Sequence, residues 1–335
     1  MTPPDLPVGK VPPRVLQALV YPHVGVRRDD VLVHAQIGED SAVIDFGDEV
    51  AVLTTDPITG ARRDLGWYAV FVATNDLAAT GAEPVALTLT VLLAADHPSD
   101  DLERVMRDAA AAAASVGVEI AGGHSEVTSG IDRTLIVVTA LGRARKERVL
   151  RSGGARPGDA LLLTKGAGIE GTAILAAELE ARLRAALGDT VIDRAQTFRD
   201  WISVLPEGRA AARAGARAMH DVTEGGVLGA VDEMAVASGI GVRVDGDRVP
   251  VLPETAAICT YLGVDPLGLI GSGALLIATP DARRTSVAIE AAGVHVTQIG
   301  EFVPDGRQLR RSDRIASLVP PARDELWRIL DTTPK

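Results

Sequence analysis

Two α+β domains are what the sequence predicts, on three observations. The chain has 335 residues, 47% of them hydrophobic and 24% charged, a globular balance on a length too great for one small core. In its first half, strand-like stretches follow one another with no helix between them, which a doubly wound parallel sheet does not allow. Over 143–159 the chain turns basic and glycine-rich and loses its apolar period, then alternates again. The boundary falls near Leu150, giving domains over 1–150 and 151–335.

After a proline-rich start, 41–44 and 50–55 read as strands, with Gly47 and Asp48 in the tight turn between them. Trp67, Val70, Phe71, Thr74, Leu77 and Ala78 recur at helical spacing, so 67–80 reads as a helix that Gly81 and Pro84 stop. A strand over 85–93 follows. Ser99 or Asp100 can cap an alanine-rich helix reaching Val116, which Gly117 ends. A short buried strand is then expected at 118–121, and another at 134–141. In the second half the pattern predicts strands at 160–164, 241–244, 274–278 and 294–299, with helices over 171–187, 191–214, 226–238, 253–262 and 281–292.

Composition excludes several functions. Cys259 is the single cysteine, which rules out disulfide frameworks, redox pairs and cysteine-rich zinc sites and fits a reducing compartment. Its spacing with Ala256, Ile258 and Leu262 makes it core. The most apolar run, 85–95, is about half the ~20 residues of a bilayer-spanning helix, and the opening MTPPDLPVGK lacks the marks of a secretion signal. A soluble cytoplasmic protein with no membrane partner is expected. Forty-five acids against 34 bases, a formal charge of −11, argue against a nucleic-acid binder. An anionic substrate would need metal ions or backbone amides between itself and these acids.

Four groups of residues carry candidate chemistry. Lys165, Gly166, Gly168 and Gly171 form a GxGxxG stretch between a strand and a helix, where a dinucleotide would sit if a second parallel strand ending in an acid followed. Residues 182–202 read as helical instead, leaving a plain glycine turn or a loop facing another phosphate. Asp40, Asp56 and Asp76 border apolar elements; singly each could be a cap or turn acid. Together they would repel unless cations sat among them, and Mg²⁺ favours a few carboxylates plus polyphosphate oxygens. Asp76 is the sharpest case, within an otherwise apolar helix. Gly122, Gly123, His124, Ser125 and Glu126 could face a ligand closely or form a hairpin turn, and His124 lacks the further ligands a zinc site needs. Lastly, His220-Asp221-Val222-Thr223-Glu224-Gly225-Gly226 opens a helix, with Thr223 as N-cap and glycine amides available to an anion.

GEDSAV, TTD, GWYAVFVATNDLAATGAEPVALTLTVLL, AGGHSEVT, GDALLLTKG and HDVTEGG, in this order over about 38–278, resemble the aminoimidazole ribonucleotide synthetase (PurM-like) superfamily, most nearly its HypE-like, AIR-synthase-related branch. The resemblance implies an N-terminal α/β domain that forms a dimeric β-barrel with a second subunit, and a C-terminal α+β domain. It implies ATP in a groove at the domain and subunit junction, with Mg²⁺ on Asp40, Asp56, Asp76 and Asp221 and with Asn75 beside them. Gly122 and Gly123 match the nucleotide loop, and Lys165, Gly166, Gly168, Thr223, Gly225 and Gly226 complete the expected nucleotide contacts. Family reactions use ATP to phosphorylate a poor nucleophile or an amide-type oxygen.

This sequence departs from the HypE pattern in three places. A HypE chain ends in a cysteine that carries a carbamoyl group, whereas this one ends Asp331-Thr332-Thr333-Pro334-Lys335. His124 and Glu126 stand where HypE resembles GDTK, and Ser272 stands where it has a glutamate. His124, Glu126 and Lys165 are left as candidates for the chemistry. The expectation is a Mg²⁺-dependent ATP-using homodimer acting on an unidentified acceptor, with a maturation factor as a further partner. A nucleotide-binding accessory protein without turnover and a thiamine-monophosphate-kinase-like enzyme are the alternatives.

Overall fold

A computed structural model of the chain describes residues 9–24, 26–95 and 99–331. The first eight residues and the final four, including most of the cysteine-free tail, lie outside the described residues. The first half comprises α1 (Pro13–Leu19), β1 (Val31–Val33), β2 (Ala42–Asp45), β3 (Glu49–Ile58), α2 (Leu65–Ala79), β4 (Glu83–Ala94), α3 (Ser99–Val116), β5 (Glu119–Thr128) and β6 (Leu135–Arg145). Its six strands form one mixed sheet in the order β1-β2-β3-β6-β4-β5, antiparallel except for β4 and β5.

The second half comprises β7 (Ala160–Thr164), α4 (Ile169–Glu178), α5 (Glu180–Leu187), α6 (Asp189–Gln196), α7 (Leu205–Ala214), β8 (Ala218–Asp221), α8 (Gly226–Ser238), β9 (Gly241–Asp245), α9 (Pro253–Leu262), β10 (Leu275–Thr279), α10 (Ala282–Ala291), β11 (Val296–Val303), β12 (Arg307–Arg311), β13 (Arg314–Ser317) and α11 (Glu325–Leu330). The strand order is β13-β12-β9-β11-β7-β10-β8. β7 lies antiparallel to both its neighbours, so the glycine loop after it does not belong to a parallel dinucleotide-binding unit.

One helix positions the site. α2 packs on the first sheet and on β8 and α7 of the second half, so residues all round it are buried, including Asn75 and Asp76. A helix apolar on every side belongs in a core, and a carboxylate there needs a reason. Ala78 and Ala79 at its end share a cluster with Met219, Leu275 and Ile277, so the two halves pack as one body.

Three expectations change. The strand expected at 118–121 runs on to Thr128 through both glycines, as an edge strand with most of its residues exposed. The helical stretches at 171–187 and 191–214 are broken, the first at Leu179 and the second by a 3-10 turn and a short irregular connection before Leu205. Thr223 does not cap α8: Gly225, at φ 88°, takes that position.

Candidate functional site

Asp40 precedes β2, Asp56 lies in β3, Asp76 in α2, and Asp221 ends β8. These elements bring the four carboxylates to one cavity of about 600 Å³, whose wall also includes Glu170, Thr223, Glu224, Ser272, Arg133 and Trp327. The Thr54 hydroxyl donates to Asp76 Oδ2 at 2.5 Å and sits 3.4 Å from Asp56 Oδ2. Burial, reinforced by the like charges of Asp56, Asp221 and Asp40, holds Asp76 well above the usual carboxylate range. Burial also raises Asp56. Burial and the charge of Asp40 push Asp221 up to about 8, and its buried Oδ2 has no hydrogen-bond partner.

His220 braces this cluster from behind. Its Nδ1 lies 2.6 Å from Asp40 Oδ1 and its Nε2 3.1 Å from Glu233 Oε2, and Ser152 Oγ donates to Asp40 Oδ2 at 3.1 Å. Burial opposes a charged imidazole, yet Asp40 and Glu233 hold His220 well above its ordinary value. Burial likewise opposes an ionised Glu233, but His220 and Lys10 keep it at about 2; Lys10 Nζ is 2.7 Å from Glu233 Oε1. Asp40, His220 and Asp221 offer ligand atoms within 4.8 Å of one another. With both ring nitrogens donating, however, His220 has no lone pair for a metal. What remains is a set of oxygen donors that repel one another, one with an orphaned buried oxygen, and that set fits a hard divalent cation such as Mg²⁺.

The N-terminus of α8 is already filled. Asp324 Oδ2 accepts the Gly225 N–H at 2.7 Å, and its Oδ1 accepts the Leu326 N–H at 2.8 Å. Burial still pushes Asp324 up to about 7 against the pull of those amides. Gly226, at φ 60°, is needed because a side chain would meet the carbonyl of Leu267 at 2.6 Å. So Gly225 and Gly226 serve an internal carboxylate and close packing, while Thr223 reaches the cavity.

Other expected contacts lie elsewhere. Asn75 is fully buried, its Nδ2 donating to the Ile202 carbonyl at 2.8 Å and its Oδ1 accepting the Val204 N–H at 2.9 Å. Lys165 Nζ donates to the carbonyls of Trp201, Ser203 and Gly273 and pairs with buried Glu207 at 2.6 Å. Gly166 and Gly168 let the loop pack on Pro250, Leu269 and Thr255. Gly122 and Gly123 lie in edge strand β5, where Ala121 is an extra residue in the pairing with β4. His124 and Glu126, 3.1 Å apart, are exposed on that strand and do not line the cavity.

Glu170, in the first turn of α4, is 4% exposed. Burial pushes it up to about 7 against the pull of Ser272. That pull is hydrogen bonding from the Ser272 side chain and backbone, and it leaves Glu170 Oε2 without a hydrogen-bond partner. The same sign that marks Asp76, a lone acid in an apolar helical run, is present in GIEGTAILAA, but a glycine motif overlies it.

Residues 38–144 match the family model described as AIR synthase related protein, N-terminal domain, and residues 156–310 match the C-terminal domain of the same description. The carbamoyl dehydratase HypE of Cupriavidus necator is 33% identical over 274 residues, covering 76% of this chain and 74% of that protein. This chain belongs to the AIR synthase related family. Among solved structures, the HypE-HypF complex matches this family member with TM-score 0.72 at 24% identity, over 84% of this chain and 93% of that one. A hydrogenase maturation protein HypE in complex with ATP matches with TM-score 0.69 at 22% identity, over 96% and 98%. Both show that this AIR synthase related chain has the two-domain PurM-like α+β fold of those proteins.

Proposed function

We propose that this chain is a Mg²⁺-dependent, ATP-using enzyme that phosphorylates an amide-type or other small acceptor during maturation of a hydrogenase or another metalloenzyme. The convergence of Asp40, Asp56, Asp76 and Asp221 on one cavity carries the proposal. Mg²⁺ on these carboxylates would neutralise polyphosphate charge and the charge that develops during transfer. The chain's own part is to keep the four carboxylates in place. His220 and Ser152 orient Asp40, Thr54 joins Asp56 to Asp76, and Thr223 offers a hydroxyl at the wall. The ATP complex of a HypE and the carbamoyl dehydratase name of the Cupriavidus necator relative support the direction.

The remaining assignments follow from this reading. Nucleotide binding rests mainly on the domain over 1–150, with Asp221 and Thr223 supplied from 151–335. A homodimer is proposed because the first sheet leaves β5 as an exposed edge and presents Leu53, Val85, Val127 and Leu141 to solvent. A partner maturation factor is proposed by analogy with the HypE-HypF complex. A cytoplasmic setting is proposed from the single buried Cys259; among the described residues no helix is long and apolar enough to cross a membrane.

Calorimetric titration of ATP with and without Mg²⁺ tests the proposal. Binding that requires Mg²⁺ and is lost in Asp76→Asn is the expected result; binding indifferent to both overturns it. A nucleotide-binding accessory protein without turnover is the second reading, favoured by the absence of His124, Glu126 and Lys165 from the cavity wall. Acceptor-dependent ADP formation by the purified protein would refute that second reading.

A further inference from the structure

Phosphorylating an O–H or N–H group requires something to take its proton, and most acids of the cavity are committed. Asp40 is held by His220 and Ser152, and Asp56 and Asp76 share Thr54. Glu224 accepts from the Trp327 indole and the Lys10 amide. Asp221 stands within the carboxylate cluster that repels it.

Glu170 differs from the first four in its free oxygen, and from Asp221, whose Oδ2 is also unpartnered, in standing outside the cluster of Asp40, Asp56 and Asp76. Its carboxyl lines the cavity with Ser272 beside it, it is almost wholly buried, and its Oε2 has no hydrogen-bond partner. A buried carboxyl oxygen without a partner is costly. We infer that Glu170, with Ser272 beside it, is the catalytic proton acceptor of this site and that the acceptor substrate presents a neutral O–H or N–H group there.

The inference rests on the ATP-using reading above. As Glu170 takes the proton, the electron pair of the acceptor atom forms the new bond to the γ-phosphorus, and the bridging P–O bond breaks to release ADP with its electrons. The titratable groups facing Glu170 are Glu224, Asp324 and Tyr68. Two are acids, so an anionic acceptor end would be repelled there. A base poised near neutrality is best matched to such a transfer.

The test uses the full chain, Mg·ATP, and water as the acceptor probe, with phosphate release followed in single turnover. Glu170→Gln is expected to slow release about 100-fold or more and to flatten the rise in rate that the wild type shows as pH passes through about 7. Formate should restore part of the rate to Glu170→Ala, which a purely structural role would not allow. Ser272→Ala should displace the pH limb, and infrared difference spectra should lose one protonated-carboxyl band in Glu170→Gln. Calorimetry with a non-hydrolysable ATP analogue and Mg²⁺ separates the two levels. Intact analogue binding with an undiminished rate in Glu170→Gln overturns the role of Glu170 alone; a wild type that does not bind the analogue overturns the ATP-using reading as well.

Discussion

Asn75 and Lys165 hold alternate residues of one connecting segment: Asn75 bonds the backbone of Ile202 and Val204, and Lys165 that of Trp201 and Ser203. Asn75 comes from the helix that carries Asp76, and Lys165 from the end of β7. The pair therefore fastens the second half of the chain to the helix at the centre of the site. Asn75→Ala strands a buried N–H and a buried carbonyl, and a loss of about 1–3 kcal/mol is expected. Lys165→Met leaves Glu207 buried without its counter-charge, and about 3–5 kcal/mol is expected. Urea unfolding midpoints check both. A Lys165→Met variant that keeps its stability while losing Mg·ATP binding would return this lysine to the nucleotide.

Gly122 and Gly123 are neighbours with opposite tolerances. A Cβ on Gly122 would meet nothing within 4 Å, whereas one on Gly123, at φ 149°, would lie 2.0 Å from the Leu89 carbonyl oxygen. Gly123→Ala must shift β5 away from β4 and is expected to cost about 3 kcal/mol or more. Gly122→Ala should stay within about 1 kcal/mol and leave Mg·ATP affinity unchanged. A Gly122→Ala protein of normal stability that fails to bind nucleotide would restore the glycine pair as a phosphate cradle.

What the sequence reveals here depends on whether a residue's signal is local. The helices over 226–238 and 253–262 match in full because Gly239 and Gly263, both in the left-handed region, end them. β5 is hidden because paired glycines read as a turn, and only its pairing with β4 shows them to be strand. β12 and β13, RQLRR and RIAS, are exposed, so burial left no alternation in them to read. Asp40, Asp56, Asp76 and Asp221 stand out because acids beside apolar runs need a reason. The commitments of Asn75 and Lys165 do not, since their partners lie 36 to 129 positions away.

The carboxylates give stability a pH dependence of definite sign. A carboxyl whose pKa is higher folded than unfolded binds more protons in the native state, so its stabilisation is full below the unfolded value and declines as pH rises through the folded one. Glu170 and Asp324 at about 7 and Asp221 at about 8 therefore weaken the metal-free protein between about pH 4 and pH 8. Glu233, held at about 2, acts oppositely, stabilising above its unfolded value and failing only as pH falls towards 2. Urea midpoints of the metal-free protein should be highest near pH 5 and lower at pH 8. Mg²⁺ with ATP should recover much of the loss, because it binds only the folded, ionised cluster. Equal midpoints at pH 5 and pH 8 without metal would contradict this account of the site.

Leu53 and Leu141 sit opposite each other on β3 and β6, and each is more than a third exposed on the outer face of the first sheet. Apolar cross-strand pairs stabilise a sheet best when something covers them, and a second copy is the proposed cover. Leu141→Glu would place a charge on that face without touching the core beneath it. Sedimentation should then change from dimer to monomer, with the urea midpoint of the dissociated chain lowered only as far as loss of the partner requires. A wild type that sediments as a monomer at micromolar concentration would refute the pairing, and Leu141→Glu dimers would move the contact to another face.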